Sequence, residues 1–383
     1  MPRKVATRAG VEPFRVMEVM KAAAARAAEG SDVLHLEVGQ PGTPAPAAAI
    51  AAAHAALDRE RLGYTDAAGT DQLRNRISAY YADRHDVRVP VERVFVTAGA
   101  SGACVLAFLT AFAEGDRVAV TEPGYPCYRN MLSAFGIEPV GIPIGADTDF
   151  RITPDLLAGA GPLDGLIVAS PSNPTGTVLH QRELAAVAAW CDDHDVRLVS
   201  DEIYADITFG APAPSALSTG DEHIVVNSFS KYFSMTGWRI GWLVVPSDLI
   251  VPIERLAQNL FISPPTLAQV AALAAFDATT ELDAHVARYA RNRDILLDGL
   301  RAAGIDQVAP PDGAFYVYAD VSHLTDDSEA LAREWLHDIG VAVTSGIDFD
   351  PRRGSRFLRL SFCGTEDEIA DAARRIAAWG RAT

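Results

Sequence analysis

Short runs of β-branched and other apolar residues alternate with longer helical stretches through the first two thirds of the sequence. The run "RVFVTAGASG" precedes "ACVLAFLTAFAEG", "DRVAVTEPGYP" precedes "CYRNMLSAFG", and "DGLIVASPSNPTG" precedes "RELAAVAAWCDDHD". Strands that are apolar on both faces are typical of a mostly parallel sheet with helices on both sides. The sequence therefore predicts an α/β fold, in which ligands bind beyond the carboxyl ends of the strands.

The pattern changes after about residue 280. A charged helical stretch, "ELDAHVARYARNRDILLDGLRAAG", is followed by the strand-like segments "AFYVYADV", "VAVTSG" and "RFLRLSF". Helices and short strands in this order predict a second, smaller α+β domain. We expect residues 39–280 to form the large domain, and residues 1–38 and 281–383 to form the small one.

Charge and composition exclude several classes of protein. The 383 residues carry a formal net charge of −17, which disfavours nucleic acid or an anionic membrane surface as a partner. No apolar run approaches the roughly 18–20 residues that span a bilayer, and the first residues lack the apolar region of a secretory signal. The four cysteines and nine histidines show no metal-ligand spacing. We expect a cytoplasmic protein without a metal site.

One lysine lies in an unusual place. Lysine supplies only three of the 33 basic residues, and Lys231 lies among aromatic residues, serines and glycines in "VVNSFSKYFSMTGWRIGW". A desolvated lysine can lose its proton and act as a nucleophile, which arginine cannot do. The alternative is an ordinary surface lysine. The pattern favours a neutral amine that condenses with an aldehyde.

Polar residues follow two of the predicted strands. Asp201 ends the run "VRLVS", and Tyr204 follows it in "SDEIY". A buried carboxylate needs a partner, either a protein cation or a ligand group that can be protonated; the alternative for Asp201 is an N-cap. Asn173 follows "GLIVA" in "SNPTG", where turn formation alone would also explain the prolines and the glycine.

Candidate anion-binding residues lie elsewhere in the chain. Ala100 and Ser101 open a helix in "TAGASGA", where free backbone N–H groups and a hydroxyl would suit a phosphate, although many strand-to-helix turns look alike. Arg239 and Arg359 have planar side chains that suit phosphate or carboxylate, with surface ion pairs as the alternative. All these residues together match pyridoxal 5′-phosphate (PLP), which has a phosphate, an aldehyde, a pyridine nitrogen and a phenolic oxygen.

The sequence resembles the class I and II aminotransferases of the aspartate aminotransferase fold, which are PLP enzymes of fold type I. The resemblance covers nearly the whole chain. Its motifs, in order, are "LEVGQP", "YTDAAGTDQLRNRI", "TAGASGA", "EPGYPCY", "SNPTG", "SDEIY", "SFSKYFSMTGWRIGW" and "RLSF". It implies a mostly parallel seven-stranded sheet flanked by helices, a smaller α+β domain, and a homodimer with shared active sites.

The resemblance implies roles for the residues around the PLP ring. Lys231 would bind PLP covalently and then move a proton between the substrate Cα and the cofactor. Asp201 would pair with the pyridine nitrogen and keep it protonated. Asn173 and Tyr204 would donate hydrogen bonds to the phenolic oxygen, and Tyr125 would stack on the ring face.

Further roles concern the phosphate and the substrate. The resemblance implies that the phosphate contacts Ala100, Ser101, Ser228, Arg239 and, from the neighbouring subunit, Tyr64. Arg359 would bind the substrate α-carboxylate, helped by the Gly39 backbone and Asn173. The implied reaction moves an amino group between an L-amino acid and a 2-oxo acid with ping-pong kinetics.

The sequence also departs from the family pattern. The segment after "GQP" reads "GTPAP" where the family more often has an Asp-Phe pair, and no position matches a second arginine for a distal carboxylate. Recognition of dicarboxylates is therefore not predicted. The candidates for the side-chain pocket are Phe14, Arg15, Tyr125, Phe261 and Tyr316, with ordinary core or surface positions as the alternative.

Three other functions compete with transamination. A β-lyase, a decarboxylase or a cyclising lyase would use the same cofactor residues, but the whole-chain pattern most often accompanies transamination. A regulator with an aminotransferase-like sensor domain would need an additional DNA-binding domain, whereas the motifs here begin within about the first forty residues. A serine hydrolase is disfavoured because "GASG" lacks the GxSxG spacing.

Overall fold

The structure, a computed structural model, describes residues 3–381. Its strands are β1 Leu34–His35, β2 Val94–Thr97, β3 Arg117–Glu122, β4 Glu138–Pro143, β5 Gly165–Ala169, β6 Arg197–Asp201, β7 Ile224–Ser228, β8 Gly241–Val244, β9 Tyr316–Asp320, β10 Val341–Ala342, β11 Thr344–Ser345 and β12 Phe357–Ser361.

Its α-helices are α1 Arg15–Ala28, α2 Ala47–Arg59, α3 Asp71–His85, α4 Gly99–Ala111, α5 Pro126–Phe135, α6 Pro154–Ala158, α7 Gln181–Asp193, α8 Ile250–Leu260, α9 Thr266–Ala275, α10 Thr279–Ala302, α11 Ser328–Glu334 and α12 Glu366–Gly380. A π-helical turn, Trp335–Ile339, continues α11. The 3-10 turns are Thr7–Ala9, Val91–Arg93, Ala146–Thr148, Ala216–Ser218, Thr236–Trp238, Ser247–Leu249, Gly346–Asp348 and Gly354–Arg356.

A seven-stranded sheet forms the centre of the molecule. Its strand order is β2-β8-β7-β6-β5-β3-β4. Strand β8 is antiparallel to both of its neighbours, whereas β7, β6, β5, β3 and β4 pair in parallel. The predicted mostly parallel sheet of seven strands is confirmed.

Both faces of this sheet are buried, as the apolar runs in the sequence predict. Along β7, Val225 belongs to one hydrophobic core, and Ile224 and Val226 belong to a second core on the opposite face. The second core also contains apolar residues of α4, α5 and α8. Alternate side chains of a strand point to opposite faces, so a continuous apolar run fills both cores.

The remaining strands form two small sheets. Strands β11, β12 and β9 form an antiparallel sheet, and β1 pairs with β10 in parallel. Helix α10 lies against α12 beside them. The first hydrophobic core continues from the central sheet into this part, from Val225 to Leu360. The domain boundaries at residues 38/39 and 280/281 therefore stay a prediction.

Residues 3–381 contain no helix that is both long enough and apolar enough to cross a membrane.

Candidate active site

The carboxyl ends of the parallel strands surround a cavity of about 290 Å³. Ten of the twelve residues that the sequence assigned to the site line it: Gly39, Ala100, Ser101, Tyr125, Asn173, Asp201, Tyr204, Lys231, Arg239 and Arg359. Because β2, β3, β5, β6 and β7 all point to this edge, the loops after them meet there. The other two assigned residues, Ser228 and Tyr64, do not line the cavity.

Lys231 follows β7 and is the lysine of the cavity wall. Its Nζ atom donates a hydrogen bond to the Gly39 carbonyl at 2.6 Å. It also lies 5.6 Å from the centre of the Tyr204 ring. Burial lowers the pKa of the Lys231 amine from 10.5 to about 8, and the nearby Arg359 charge contributes to this fall. A minor fraction of neutral amine is therefore present near neutral pH. The covalent role of Lys231 stays a prediction.

Asp201 lies at the end of β6 with its carboxylate buried. One carboxylate oxygen accepts a hydrogen bond from the Tyr128 hydroxyl at 2.6 Å, and the other accepts one from the Ile203 N–H at 3.0 Å. Burial raises the pKa of the Asp201 carboxyl, and these hydrogen bonds oppose the rise. A protonated ligand nitrogen in the cavity would stabilise the charged carboxylate.

Tyr128 is a partner of Asp201 that the sequence reasoning missed. It lies on α5, three residues after Tyr125, and both tyrosines line the cavity. Their rings meet edge to face at 5.2 Å. The signal that could have found Tyr128 is this spacing of three, which puts both residues on one face of a helix.

Arg359 lies on β12 and is buried. Its guanidinium group lies between two rings, 4.6 Å from the centre of Tyr316 and 4.7 Å from that of Phe349. Nη1 donates to Asn173 Oδ1 at 3.1 Å, and Nη2 donates to the Glu37 carbonyl. Nε has no hydrogen-bond partner within residues 3–381. The group therefore has an unused N–H donor and a fixed plane, which suits a carboxylate ligand.

The amino terminus of α4 forms the opposite end of the cavity. Ala100 and Ser101 lie in its first turn, where backbone N–H groups have no partner within the helix. Gly99 has φ +72°, and a Cβ atom there would lie 2.7 Å from Arg239 Nη2. Glycine therefore allows the arginine to approach the start of the helix. Positive charge and free N–H groups make this end a site for an anion.

Ser228 lies one layer behind this end of the cavity. Its hydroxyl lies 2.9 Å from that of Ser230 and donates to the Ile240 carbonyl at 3.0 Å. Ser230 and Thr236 line the cavity themselves, and the sequence reasoning did not single them out. The hydroxyls in "SFSKYFSMT" were the available signal. The contact of Ser228 with a phosphate stays a prediction.

Tyr64 lies outside the cavity, with 87% of its surface exposed. It lines a separate surface cleft together with residues 263–266. A role at the site of a neighbouring subunit therefore stays a prediction, which one chain does not test.

The remaining wall of the cavity is apolar. Phe14 and Tyr316, two candidates for the side-chain pocket, line it, whereas Arg15 and Phe261 do not. Arg15 pairs with Glu329 at 3.4 Å. The apolar lining residues that the sequence reasoning missed are Val16, Met17, Met20, Val38, Cys104, Met131, Ala169 and Ile203. Several come from α1, whose place over the cavity depends on tertiary packing.

The chain is similar in sequence to known aminotransferases. The sequence model of the family "Aminotransferase class I and II" matches residues 31–376. A valine–pyruvate aminotransferase from Mycobacterium tuberculosis is 53% identical over 384 positions and covers 99% of each chain. An arginine–pyruvate transaminase from Pseudomonas aeruginosa is 32% identical and covers 93% of this chain and 92% of its own.

Solved structures agree with the sequence comparison. The crystal structure of an aminotransferase from Mycobacterium tuberculosis matches with a TM-score of 0.98 at 52% identity, covering 100% of both chains. The aspartate aminotransferase from Thermus thermophilus with maleate matches with a TM-score of 0.93 at 31% identity, covering 98% of this chain and 100% of its own. The predicted fold class and enzyme class are confirmed: the chain belongs to the class I and II aminotransferases.

Proposed function

We propose that the cavity binds PLP and that the enzyme moves the amino group of an aliphatic L-amino acid to a small 2-oxo acid. The observation that carries this proposal is the arrangement of one cavity. Lys231 and Asp201 lie in it beside an anion site at α4, and Arg359 lies in its wall. When bound, PLP supplies an aldehyde that exchanges amines and a ring that withdraws electrons from the substrate Cα.

The residues present fit the phosphate of this cofactor. Ala100 and Ser101 present the free N–H groups of the first turn of α4, and Arg239 supplies a positive charge beside them. Arg239 approaches Gly99 closely, and the positive φ of Gly99 also favours glycine at this position. We propose that Ser228 and Ser230 support the same end with their hydroxyls.

The residues also fit the ring of the cofactor. Asp201 is a buried carboxylate without a cation at hydrogen-bond distance in residues 3–381, so a protonated pyridine nitrogen would give it the missing charge. Asn173 and Tyr204 line the cavity between Asp201 and Arg359 and have groups that can donate to a phenolic oxygen. Tyr125 offers a ring face for stacking.

Lys231 supplies the base. Its Nζ atom is the amine of the cavity wall, held by the Gly39 carbonyl at 2.6 Å. With a pKa of about 8, the neutral form is available to remove the proton from the substrate Cα. The aromatic rings of Tyr204 and Phe315 nearby do not compete for that proton, because neither is a base at neutral pH.

Arg359 orients the substrate. The rings of Tyr316 and Phe349 hold its guanidinium plane, so a bound α-carboxylate takes a defined direction. A fixed carboxylate limits the rotation of the substrate, and this keeps the Cα proton within reach of Lys231. Amino acids and 2-oxo acids both carry this carboxylate, so both half-reactions use the same contact.

The apolar wall indicates the class of side chain. Phe14, Val16, Met20 and Met131 line the cavity, and its cationic residues, within the described chain, are Lys231, Arg239 and Arg359.

All three cations already have a proposed role, so no described cation is left for a second carboxylate of the substrate. This wall favours aliphatic over acidic side chains. The similarity to a valine–pyruvate aminotransferase agrees with an aliphatic donor and a small acceptor.

We also propose a homodimer in which Tyr64 completes the site of the neighbouring subunit. Leu260 and Ile262, which lie just before the segment 263–266 beside Tyr64, are 50% and 54% exposed and would be covered by a second copy. Sedimentation at twice the 40.9 kDa chain mass is expected. Tyr64→Ala should weaken PLP binding without changing that mass, and unchanged PLP affinity would contradict the shared site. The cytoplasmic location stays a prediction.

The test of the activity is a half-reaction. Enzyme reconstituted with PLP is mixed with one amino acid and no acceptor, and both the cofactor absorbance and the released acid are measured. We expect L-valine or L-alanine to give one equivalent of 2-oxo acid per site, and L-aspartate to react more slowly. Lys231→Ala is the matched control and should release none.

Three results would contradict parts of the proposal. Continued release of ammonia without an acceptor would indicate a lyase instead of an aminotransferase. A faster reaction with L-aspartate than with L-valine would keep the transamination and overturn the substrate class. Absence of visible absorbance after PLP addition would overturn the cofactor assignment.

A further inference from the structure

Tyr316 contacts two residues of the proposed site at once, Tyr204 and Arg359. It is the first residue of β9 and is 1% exposed. Its hydroxyl lies 2.7 Å from that of Tyr204, and its ring lies under the guanidinium of Arg359 at 4.6 Å. Tyr316 thus links the residue proposed to bind the cofactor with the residue proposed to bind the substrate carboxylate.

The position of the Tyr316 hydroxyl is tightly fixed. A Cβ atom built on Gly39 would lie 1.6 Å from it, so the oxygen lies directly against the Gly39 backbone. The Gly39 carbonyl in turn accepts the hydrogen bond of Lys231. Since both Tyr204 and Tyr316 are buried, the hydrogen bond between them is shielded from water.

Either hydroxyl can donate in this hydrogen bond. Burial raises the pKa of both tyrosines, that of Tyr316 to about 12, so both hydroxyls keep their protons near neutral pH. When Tyr316 donates to Tyr204, the proton of Tyr204 is free to point into the cavity.

We propose that Tyr316 is a positioning residue, which orients the Tyr204 hydroxyl toward the phenolic oxygen of the cofactor and supports the Arg359 guanidinium with its ring. This inference rests on the proposed function, because it takes Tyr204 and Arg359 in their proposed roles. The hydroxyl and the ring of Tyr316 have separate tasks, so two substitutions separate them.

Tyr316→Phe removes the hydroxyl and keeps the ring. Loss of one neutral hydrogen bond is worth about a 2- to 10-fold fall in kcat. The KM for the amino acid should change less than about 2-fold, because the ring face under Arg359 remains. Tyr316→Leu also removes the ring and should raise the KM for the amino acid in addition.

A spectroscopic readout separates positioning from a general loss of structure. A hydrogen bond donated to the phenolic oxygen stabilises its deprotonated form and so lowers the pKa of the bound chromophore. That pKa is read from the pH dependence of the visible absorbance of the enzyme with PLP and no substrate. This pKa should rise in Tyr316→Phe by about 0.3 to 1, the equivalent of that 2- to 10-fold effect.

Two further variants serve as controls. Tyr318→Phe removes a hydroxyl from a buried tyrosine of the same strand whose oxygen has no hydrogen-bond partner in the described chain, and it should leave kcat and the absorbance pKa unchanged. In a Tyr204→Phe background, Tyr316→Phe should have no further effect on the absorbance pKa, because its route through Tyr204 is already removed.

The outcomes divide clearly. The expected shift in Tyr316→Phe, absent from Tyr318→Phe and from the Tyr204→Phe background, would support the inference. Two results would overturn the inference and leave the proposed function unchanged. In the first, the wild-type enzyme titrates normally and Tyr316→Phe has the same absorbance pKa. In the second, Tyr316→Phe still shifts the absorbance pKa in the Tyr204→Phe background. A wild-type enzyme without PLP absorbance would overturn both.

Discussion

Replacing Arg359 with lysine is the sharpest test of substrate binding at this site. The change keeps one positive charge but removes the planar fork of N–H donors. In the structure, that fork reaches Asn173 Oδ1 at 3.1 Å and the Glu37 carbonyl, while the rings of Tyr316 and Phe349 cover its two faces. A lysine ammonium is a point charge. It cannot hydrogen-bond Asn173 and Glu37 and at the same time bind both oxygens of a carboxylate.

The expected magnitude follows from the contact that is lost. A hydrogen bond to a charged group is worth about 1.5–3 kcal/mol, so losing one should lower kcat/KM by about 10- to 150-fold. Both the amino acid and the 2-oxo acid carry the α-carboxylate, and the contact exists before the reaction starts. The loss should therefore appear mainly in the KM of both substrates rather than in kcat.

The assay is steady-state kinetics with each substrate varied in turn, together with a PLP titration of the apoenzyme. Arg93→Lys is the matched control, because Arg93 is also buried but hydrogen-bonds the Val245 carbonyl and Asp221 away from the cavity. It should lower the melting temperature and leave both KM values unchanged. If Arg359→Lys left both KM values within about 2-fold of wild type, the carboxylate assignment would be refuted.

Three further predictions follow from the same geometry. The rate at which apoenzyme takes up PLP should rise with pH and level off above about 8, because burial lowers the pKa of Lys231 to about 8; a rate that still rises at pH 10 would contradict this. Asp201→Asn should lower kcat by about 10²- to 10³-fold. This substitution should not lower the melting temperature of the apoenzyme, because it removes a buried carboxyl whose pKa burial raises. A marked loss of stability would contradict this prediction. Gly39→Ala should lower kcat at least as much as Tyr316→Phe, since its Cβ would displace the Tyr316 hydroxyl, whereas Gly210→Ala, where a Cβ meets nothing within 4 Å, should be silent.

The central sheet and several site residues could be predicted from local patterns in the sequence, whereas Gly39 and Tyr125 were selected only by the family resemblance. The apolar runs became β2 to β8, and the polar residues that follow β5 and β6, Asn173 and Asp201, meet at one edge of the sheet. Parallel strands carry their loops to a common edge, so motifs far apart in the chain converge there without further information.

Other parts of the site depend on packing between segments that the sequence does not relate. Tyr128 pairs with Asp201 because α5 packs over the end of β6, and Met17 and Met20 line the cavity because α1 lies beside it. The spacing of three from Tyr125 is the one local signal for Tyr128, and no local pattern marks Met17 and Met20, since a methionine at helical spacing is equally consistent with an ordinary core. Tyr64 was selected from the sequence, but its proposed contact lies on a neighbouring subunit, so the structure of one chain does not test it.

Gly39 shows how a correctly chosen residue can have a further reason. The resemblance selected it for a backbone contact with the substrate, and the structure adds a steric requirement, since the Tyr316 hydroxyl occupies the space of a Cβ. Tyr316 reaches that space from β9, which pairs with the strand that carries Arg359, and it meets Tyr204 from 112 residues away in the chain. The pairing of β9 with β12 thus fixes Arg359, which is proposed to bind the carboxylate, and the Tyr316 hydroxyl relative to each other. A substitution that displaces β9 should therefore disturb both the Arg359 contact and the Tyr204 contact of Tyr316.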